Sequence, residues 1–294
     1  MQEFLNDNPA HLVPAHLVPA LYVVATPIGN LGDITLRAIN ILKQCDFVIC
    51  EDSRVTAKLL NHLEIKKPFI IYNDYSESAD REKILNFILQ GKSLALVSDA
   101  GTPLVSDPGY KLVNFLLQNN CKVLSAPGAC APIAALSVSG IASDRFMFVG
   151  FIPNGALAKE NFFKELANID TTLIFFETSN RLISSLEVMM KVFGNRISAV
   201  AREISKIYEQ TKKASLEELI IFYQQKSPRG EIVILVSPPA KRGEVNFAQI
   251  DEKLKQGLNI MKPKELVALV ADDLVINKKI VYQRMLEILK DEKK

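Results

Sequence analysis

From residue 21 onward, short apolar segments alternate with amphipathic ones, and this alternation constrains the fold more than any other feature of the chain. The segments between the apolar ones carry apolar residues at helical spacing. In this first block the strands are predicted at 21–25, 46–50, 68–72, 93–98 and 122–126. Short apolar strands separated by helices are typical of a mainly parallel sheet covered on both faces.

A second α/β block is predicted after a linker-like stretch at 150–160. Its strands are expected at 171–177, 196–201 and 230–236, and its helices at 158–167, 180–193 and 215–225. Residues 237–246 break the pattern, and a helical tail follows whose last two helices meet near residues 275–277. The predicted organisation is a disordered tail at 1–19, α/β domains at 20–150 and 151–237, and a small helical module at 246–294.

The composition is that of an ordinary soluble protein. Of the 294 residues, 48% are hydrophobic, which suffices for the cores of two domains, and the net charge of +2 requires no polyanionic partner. The four cysteines form no CxxC pair, and the three histidines do not cluster with them. The sequence therefore predicts neither a metal site nor a disulfide framework. The lack of disulfides is typical of a protein in the reducing cytosol.

Export and membrane insertion are not predicted. Glu3 and Asp7 stand where a signal peptide would carry positive charge. Residues 123–143 carry no charge, but prolines and glycines such as Pro132 and Gly140 interrupt them. We therefore expect a loop and a buried helix there, and a cytoplasmic protein without a membrane partner.

The common nucleotide-binding motifs are absent from the sequence. No two glycines have the spacing that begins a G-x-G-x-x-G motif. The segment "NFILQGKS" imitates a P-loop, but Asn86 replaces its first glycine. Gly91 also follows a predicted helix and precedes a strand, which is the position of a helix C-cap.

Three polar loops rich in glycine and proline each follow a predicted strand and precede a helix, at 26–33, 98–109 and 126–132. In an open α/β sheet such loops gather at the carboxyl ends of the strands, where ligands bind. Small residues let backbone groups approach a ligand, and proline holds a loop in shape. We favour a single pocket over the alternative of three unrelated tight turns.

Several long blocks resemble those of the bacterial small-subunit ribosomal RNA 2′-O-methyltransferase I family, a member of the tetrapyrrole methylase superfamily. They include "YVVATPIGNLGD", "ALVSDAGTPLVSDPG", "LIFFETSNRL" and "AREISKIYE", and the resemblance covers about residues 20–290. Members modify the ribose of a cytidine in the decoding region of 16S rRNA. The resemblance implies an α/β fold of two domains, that of a class III S-adenosylmethionine methyltransferase, with a small helical C-terminal module.

The resemblance also supplies the cofactor, S-adenosylmethionine, in a cleft between the two α/β domains. The second block would hold the methionine or ribose part of the cofactor, largely through its backbone. Carried over by motif, the residues implied to line the cleft are Pro27, Asp99, Gly101, Thr102, Pro103, Leu104, Val105, Ala129, Cys130 and Ala131.

A ribose hydroxyl is hardly ionised at neutral pH, so a general base would assist its attack on the sulfonium methyl. The candidate bases are Glu51, Asp52 and Glu177. Arg54 and Arg181 would bind a phosphate or orient these acids. For Glu51 and Asp52 the alternative is a structural role as acids at a helix N-terminus.

The implied partners are 16S rRNA within the small ribosomal subunit and a second copy of the chain in a homodimer. The basic residues expected for RNA contact after "GFIP" are reduced here to Lys159 and Lys164. Two alternatives stay open. One is a corrin or porphyrin C-methyltransferase. The other is a ribosome-assembly factor without activity, motivated by Ala129 and Asn180, which replace residues common in relatives.

Overall fold

The structure is a computed structural model that describes residues 16–73, 75–226, 229–239, 247–258, 260–274 and 276–291. The chain forms two compact units, one up to Ser237 and one from Pro238 onward. Most of the predicted N-terminal tail, residues 1–15, lies outside the described residues.

The first sheet is fully parallel, as the sequence predicts. Its strands have the order β3-β2-β4-β1-β5, and each neighbouring pair runs parallel. The strands are β1 (Leu21–Val24), β2 (Phe47–Cys50), β3 (Phe69–Ile71), β4 (Leu94–Leu96) and β5 (Val123–Ala126). This order places the ends of β4, β1 and β5 side by side.

Helices cover both faces of the first sheet. Helices α1 (Leu36–Gln44) and α2 (Ser53–His62) pack on one face, and α3 (Ser78–Leu89) and α4 (Tyr110–Gln118) pack on the other. Successive strand residues enter opposite cores because side chains alternate along a strand, which explains why these strands are apolar throughout. Gly91 follows α3 with φ +85° and donates its N–H to the Ile88 carbonyl, which confirms the predicted helix end.

The second sheet is mixed, with the order β6-β7-β10-β8-β9. Only β6 and β7 run parallel, and the other pairs are antiparallel. The strands are β6 (Phe146–Phe151), β7 (Thr172–Thr178), β8 (Ile197–Arg202), β9 (Gln210–Ser215) and β10 (Glu231–Val236). Three of them were predicted, whereas the two edge strands were not.

The predicted linker at 150–160 is wrong at its start, because Gly150 and Phe151 pair with β7 as part of β6. Strand β9 was missed because its sequence, QTKKAS, is polar and half-exposed at the sheet edge. The predicted domain boundary after residue 150 falls inside β6, and the division of the first unit into two domains stays a prediction.

Helices also lie on both faces of the second sheet. Helices α6 (Ala156–Leu166), α7 (Leu182–Phe193) and α8 (Leu216–Gln225) share one core with alternate residues of β7 and β10. Helix α5 (Ala131–Ser139), which follows the first sheet in the chain, packs on the other face. This is the buried helix predicted within the uncharged segment at 123–143.

The unit from Pro238 onward contains α9 (Phe247–Gly257), α10 (Pro263–Asp273) and α11 (Lys278–Asp291). They share a small core that includes Leu254, Leu266 and Val281. The predicted turn between the last two helices includes residue 275, which lies outside the described residues. Within the described parts of the chain, we find no helix with the length and apolar character needed to cross a membrane.

The core beneath α6 provides a test of the fold. Phe163 on α6 is fully buried and packs edge-on against Phe175, 5.7 Å between ring centroids, whereas Leu157 on the same helix is 72% exposed. We expect Phe163→Ala to lower the free energy of unfolding by about 3–5 kcal/mol in urea denaturation. Leu157→Ala, the matched control, should change it by no more than about 0.5 kcal/mol. Equal effects of the two changes would contradict this packing.

Candidate active site

The three predicted loops meet at the carboxyl edge of the first sheet. Thr26 and Gly101 exchange backbone hydrogen bonds of 2.8 and 3.1 Å, which join the first loop to the second. The Thr102 hydroxyl donates to the carbonyl of Ala129 at 2.9 Å and joins the second loop to the third. The loops therefore form one connected surface, as the single-pocket interpretation requires.

The second loop is held in an unusual backbone conformation. Leu104 and Ser106 have φ values of 72° and 67°, in the left-handed region that non-glycine residues seldom adopt. At Gly101, with φ +82°, a Cβ would lie 3.2 Å from Cγ2 of Ile28. Such conformations cluster at ligand sites because the surrounding structure must hold them in place.

A cavity of about 350 Å³ lies against these loops. This volume falls within the range of about 300–1,000 Å³ that is usual for small-molecule sites. The first loop contributes Ile28, and the second and third contribute Asp99–Thr102, Val105–Asp107 and Cys130–Pro132. The second sheet and its loops contribute Phe151, Phe176–Ser179, Ile204 and Gly230–Val233.

The predicted cofactor residues divide into two groups. The residues that line the cavity are Asp99, Gly101, Thr102, Val105, Cys130 and Ala131. Four others, Pro27, Pro103, Leu104 and Ala129, are not among the lining residues. Pro103 is buried and Leu104 packs against the core of the first sheet, while Ala129 accepts the Thr102 hydrogen bond. Pro103, Leu104 and Ala129 therefore support the conformation of the loops without lining the cavity.

Glu51, Asp52 and Arg54 follow β2 and are not among the lining residues. Asp52 is the N-cap of α2, where its carboxylate accepts the Arg54 backbone N–H at 2.8 Å. It also pairs with the Arg54 guanidinium at 2.6 Å, and these bonds to Arg54 lower the pKa of Asp52 to about 2. A carboxylate of such low pKa is a weak base, so the helix N-terminal role considered for Asp52 is the one that the structure shows.

Glu177 contributes to the cavity wall, but its carboxylate is fully buried and fully engaged. It accepts hydrogen bonds from Arg181 Nε at 2.7 Å, from the Thr178 N–H at 2.7 Å and from the Ser185 hydroxyl at 2.5 Å. Arg181 also donates to the carbonyl of Ile152 and to the side chain of Asn154. The pair thus ties the end of β7 to the start of α7 and to the loop after β6.

The two lysines expected for RNA contact are engaged within the protein. Lys159 is only 5% exposed, and its ammonium donates to the Ser184 hydroxyl at 2.9 Å. Burial lowers the pKa of Lys159. Lys164 forms an ion pair with Glu160 at 2.7 Å on the surface of α6. Lys159 is therefore a structural residue.

Sequence reasoning missed several lining residues. Phe151 belongs to β6, and Ile204 lies between β8 and β9. Their place in the wall depends on how the second sheet packs, which a motif does not report. Phe176, by contrast, stands in the segment FFETS at 175–179, which the resemblance implies would close the cleft, and it lines the cavity. Asp107 did carry a signal, since it stands in the same loop as Asp99.

Asp107 is the lining carboxylate whose surroundings change its acidity most clearly. Burial raises the pKa of Asp107 to about 6, the negative charges of Glu51 and Asp99 add to the rise, and a hydrogen bond from Ser98 opposes it. Asp99 also has a raised pKa, again chiefly through burial. Carboxyl groups perturbed in this way are concentrated at functional sites.

A loop between β8 and β9 closes one side of the cavity. Lys206 forms ion pairs with Glu231 at 2.8 Å and with Glu203 at 3.0 Å. Its aliphatic stem lies over Gly29 of the first loop, where an added Cβ would be 2.5 Å from the Lys206 Cγ. The Ser205 hydroxyl also hydrogen-bonds to Asp33. The loop therefore fastens the second sheet to the first loop.

Comparison with known proteins identifies relatives of this arrangement. Residues 20–220 match the family of Tetrapyrrole (Corrin/Porphyrin) Methylases. The Ribosomal RNA small subunit methyltransferase I of Rickettsia prowazekii is 44% identical over 265 residues, covering 90% of this chain and 93% of the relative. The protein of the same name from Erythrobacter litoralis is 46% identical over 268 residues, covering 91% and 95%.

Solved structures share the fold at low identity. The cobalt precorrin-4 methyltransferase of cobalamin biosynthesis has a TM-score of 0.55 and 17% identity, covering 79% of this chain and 98% of that one. The uroporphyrin-III C-methyltransferase of Thermus thermophilus, solved with S-adenosyl homocysteine, has a TM-score of 0.51 and 19% identity, covering 74% and 96%.

The buried pair at the cavity wall provides a second test. Glu177→Gln removes the charge that compensates Arg181, and we expect it to lower the free energy of unfolding by about 3 kcal/mol. Glu160→Gln is the control, because Glu160 pairs with Lys164 and Lys191 at the surface and its loss should change little. Urea denaturation of both variants checks this, and an undiminished stability of Glu177→Gln would refute the structural role.

Proposed function

Because the chain belongs to the ribosomal RNA small subunit methyltransferase I branch of the tetrapyrrole methylases, we propose that it methylates a ribose 2′-hydroxyl of 16S rRNA with S-adenosylmethionine. The target would be a cytidine in the decoding region. The observation that carries this proposal is an identity of 44–46% that extends over about nine-tenths of the chain. The solved methyltransferases of corrins and porphyrins are only 17–19% identical, which makes the alternative on porphyrinoids weaker.

The chemistry of the cavity fits this cofactor. Its walls include Phe151, Phe176 and Ile232, which suit an adenine ring. Asp99, Asp107 and Glu231 add carboxylates, and none of the described lining residues is lysine, arginine or histidine. Such a lining favours a cation, and S-adenosylmethionine carries a sulfonium and an ammonium. It would disfavour the phosphates of a dinucleotide.

The second and third loops are proposed to hold the cofactor. Asp99 would bind its polar part, and the backbone around Gly101 and Thr102 would follow its contour, since a side chain at Gly101 would crowd Ile28. Cys130 and Ala131 would contact it where α5 begins. When bound, the cofactor supplies an activated methyl group and a good leaving group.

The protein itself must align the reacting groups and remove the proton of the 2′-hydroxyl. Holding nucleophile, methyl group and leaving sulfur in line contributes roughly 7–11 kcal/mol, whereas a general base adds about 10²- to 10⁴-fold in rate. Positioning by the loops therefore dominates. In this scheme Glu177 and Arg181 are positioning residues, because their pair fixes the wall that faces the loops.

The RNA substrate implies the place of action. Small ribosomal subunits reside in the cytoplasm, and we propose that the chain acts there, on 16S rRNA within such subunits. A homodimer is proposed from the family resemblance. Sedimentation of the purified chain at twice its monomer mass of 32.7 kDa would support the dimer, and sedimentation as a monomer would contradict it.

The cofactor site can be tested by filling the cavity. Val105 lines the cavity, so Val105→Trp should reduce affinity for S-adenosylmethionine at least about tenfold in calorimetry, because the indole takes the ligand's space. Leu117→Trp is the control, since Leu117 is 54% exposed on α4. Thermal unfolding should show both variants folded. Unchanged affinity in Val105→Trp would place the cofactor elsewhere.

The activity itself is tested with small ribosomal subunits from cells that lack the endogenous modification. We expect tritium from methyl-labelled S-adenosylmethionine to enter one cytidine of 16S rRNA and to make the adjoining linkage resistant to alkali, as a 2′-O-methyl group does. Label on porphyrinoids instead would support the corrin or porphyrin alternative. Cofactor binding without label on any substrate would support the inactive assembly factor.

A further inference from the structure

We propose that Asp107 is the carboxylate that removes the proton from the ribose 2′-hydroxyl. This inference rests on the proposed function and names the residue for a step that the resemblance leaves unassigned. Asp107 lines the cavity together with Ser106 and Asp99, on the loop that is proposed to hold the cofactor.

The loop holds Asp107 in a defined place. Ser106 before it has φ 67°, and Gly109 after it has φ 130° and caps α4. A Cβ at Gly109 would lie 3.1 Å from both Leu104 and Leu96, so the chain is tightly packed at this point. The Asp107 side chain is half-buried and accepts a hydrogen bond from the Ser98 hydroxyl, which lies two residues after β4 and also faces the carbonyls of Ala100 and Gly101.

Of the three carboxylates that were candidates from the sequence, Glu51 is not among the residues that line the cavity, and the other two are committed elsewhere. Asp52 caps α2 and pairs with Arg54. Glu177 accepts from three donors and is fully buried. Both carboxylates are already occupied by charge-assisted hydrogen bonds from arginine, which makes them poor acceptors for a substrate proton.

The other lining carboxylates are also held. Glu231 pairs with Lys206 at 2.8 Å. Asp99 accepts a hydrogen bond from the backbone of Asp52, which fixes it toward the end of β2. Asp107 differs from the other carboxylates of the described cavity lining. It lines the cavity, and its hydrogen-bond donor is the uncharged hydroxyl of Ser98.

The charges around Asp107 suit it to proton transfer. Glu51 and Asp99 are the charged groups that act on it, and both disfavour its ionised form, as burial does. A pKa of about 6 leaves the group ionised at neutral pH, while making it a stronger base than an ordinary carboxylate. A base works when deprotonated, so the rate should rise with pH through about 6 and level off above it.

In the proposed step the methyl group moves from sulfur to O2′ and the hydroxyl proton moves to Asp107. The ribose O2′ uses a lone pair to form the new O–CH₃ bond, and the S–CH₃ bond breaks with its electron pair remaining on sulfur. The 2′ proton passes to the Asp107 carboxylate, which later releases it to water. The products are a 2′-O-methyl ribose, neutral S-adenosylhomocysteine and one proton.

The test uses the same change at two positions of one loop. Asp107→Asn should lower the single-turnover rate on small subunits by about 10²- to 10⁴-fold, while calorimetric affinity for S-adenosylmethionine stays close to that of the wild type. Asp99→Asn, the matched control, should instead weaken cofactor binding. Asp107→Asn with wild-type turnover, or with lost cofactor binding, would overturn the assignment. A wild-type chain that methylates no small subunit would overturn the proposed function with it.

Two further readouts do not depend on turnover at one pH. Carbon-13 spectra of the cofactor-free chain, labelled at aspartate carboxyls, should contain one resonance that titrates near pH 6 and vanishes in Asp107→Asn. Ser98→Ala removes the hydrogen bond that lowers this pKa, so it should move the acidic limb of the pH–rate profile to higher pH. A profile that stays in place, or no carboxyl titrating near pH 6, would contradict the proposal.

Discussion

The packing of α5 against the second sheet is the interaction on which the cavity depends. Only four residues separate α5 from β5 of the first sheet, yet its buried residues Ala135 and Leu136 share a core with Ile174 and Leu235 of the second sheet. A helix so placed cannot carry charge on its inner face without leaving that charge unpaired. This explains why the buried positions of α5 are uncharged, and the packing brings both sheets to the same cavity.

The acids near the cavity serve two purposes, and their partners separate them. Those bound to arginine or lysine have structural roles: Asp52 caps α2, while Glu177 and Glu231 join elements of the fold. Asp107 instead accepts a hydrogen bond from the uncharged Ser98 hydroxyl, and burial and nearby negative charges raise its pKa. An apolar wall with carboxylates thus suits both a cationic cofactor and the removal of a proton, because low local dielectric strengthens each effect.

Much of the first sheet follows from the sequence, because parallel strands are apolar throughout and their loops must meet at one edge. That geometry places Gly101, Thr102 and Cys130 at the cavity. The second sheet is less predictable at its edges. Strand β9 is polar, and strand β6, although apolar throughout, runs into the stretch from residue 150 that was predicted as a linker. The ion pair of Glu177 with Arg181 forms across the start of α7, and the hydrogen bond of Lys159 to Ser184 joins two helices. Motifs do not report such contacts. The raised pKa of Asp107 arises from burial and from the nearby charges of Glu51 and Asp99, so the sequence could show the residue but not its environment.

A crystal structure of the chain with S-adenosylhomocysteine bound would show directly whether Asp107 stands beside the reacting sulfur. We expect the ligand in the cavity between the second and third loops and the strands of the second sheet, in contact with Asp99 and the backbone at Gly101. We also expect its sulfur to face the same open space as the Asp107 carboxylate. A ligand bound outside this cavity, or a sulfur separated from Asp107 by protein atoms, would contradict the role of Asp107 as the base.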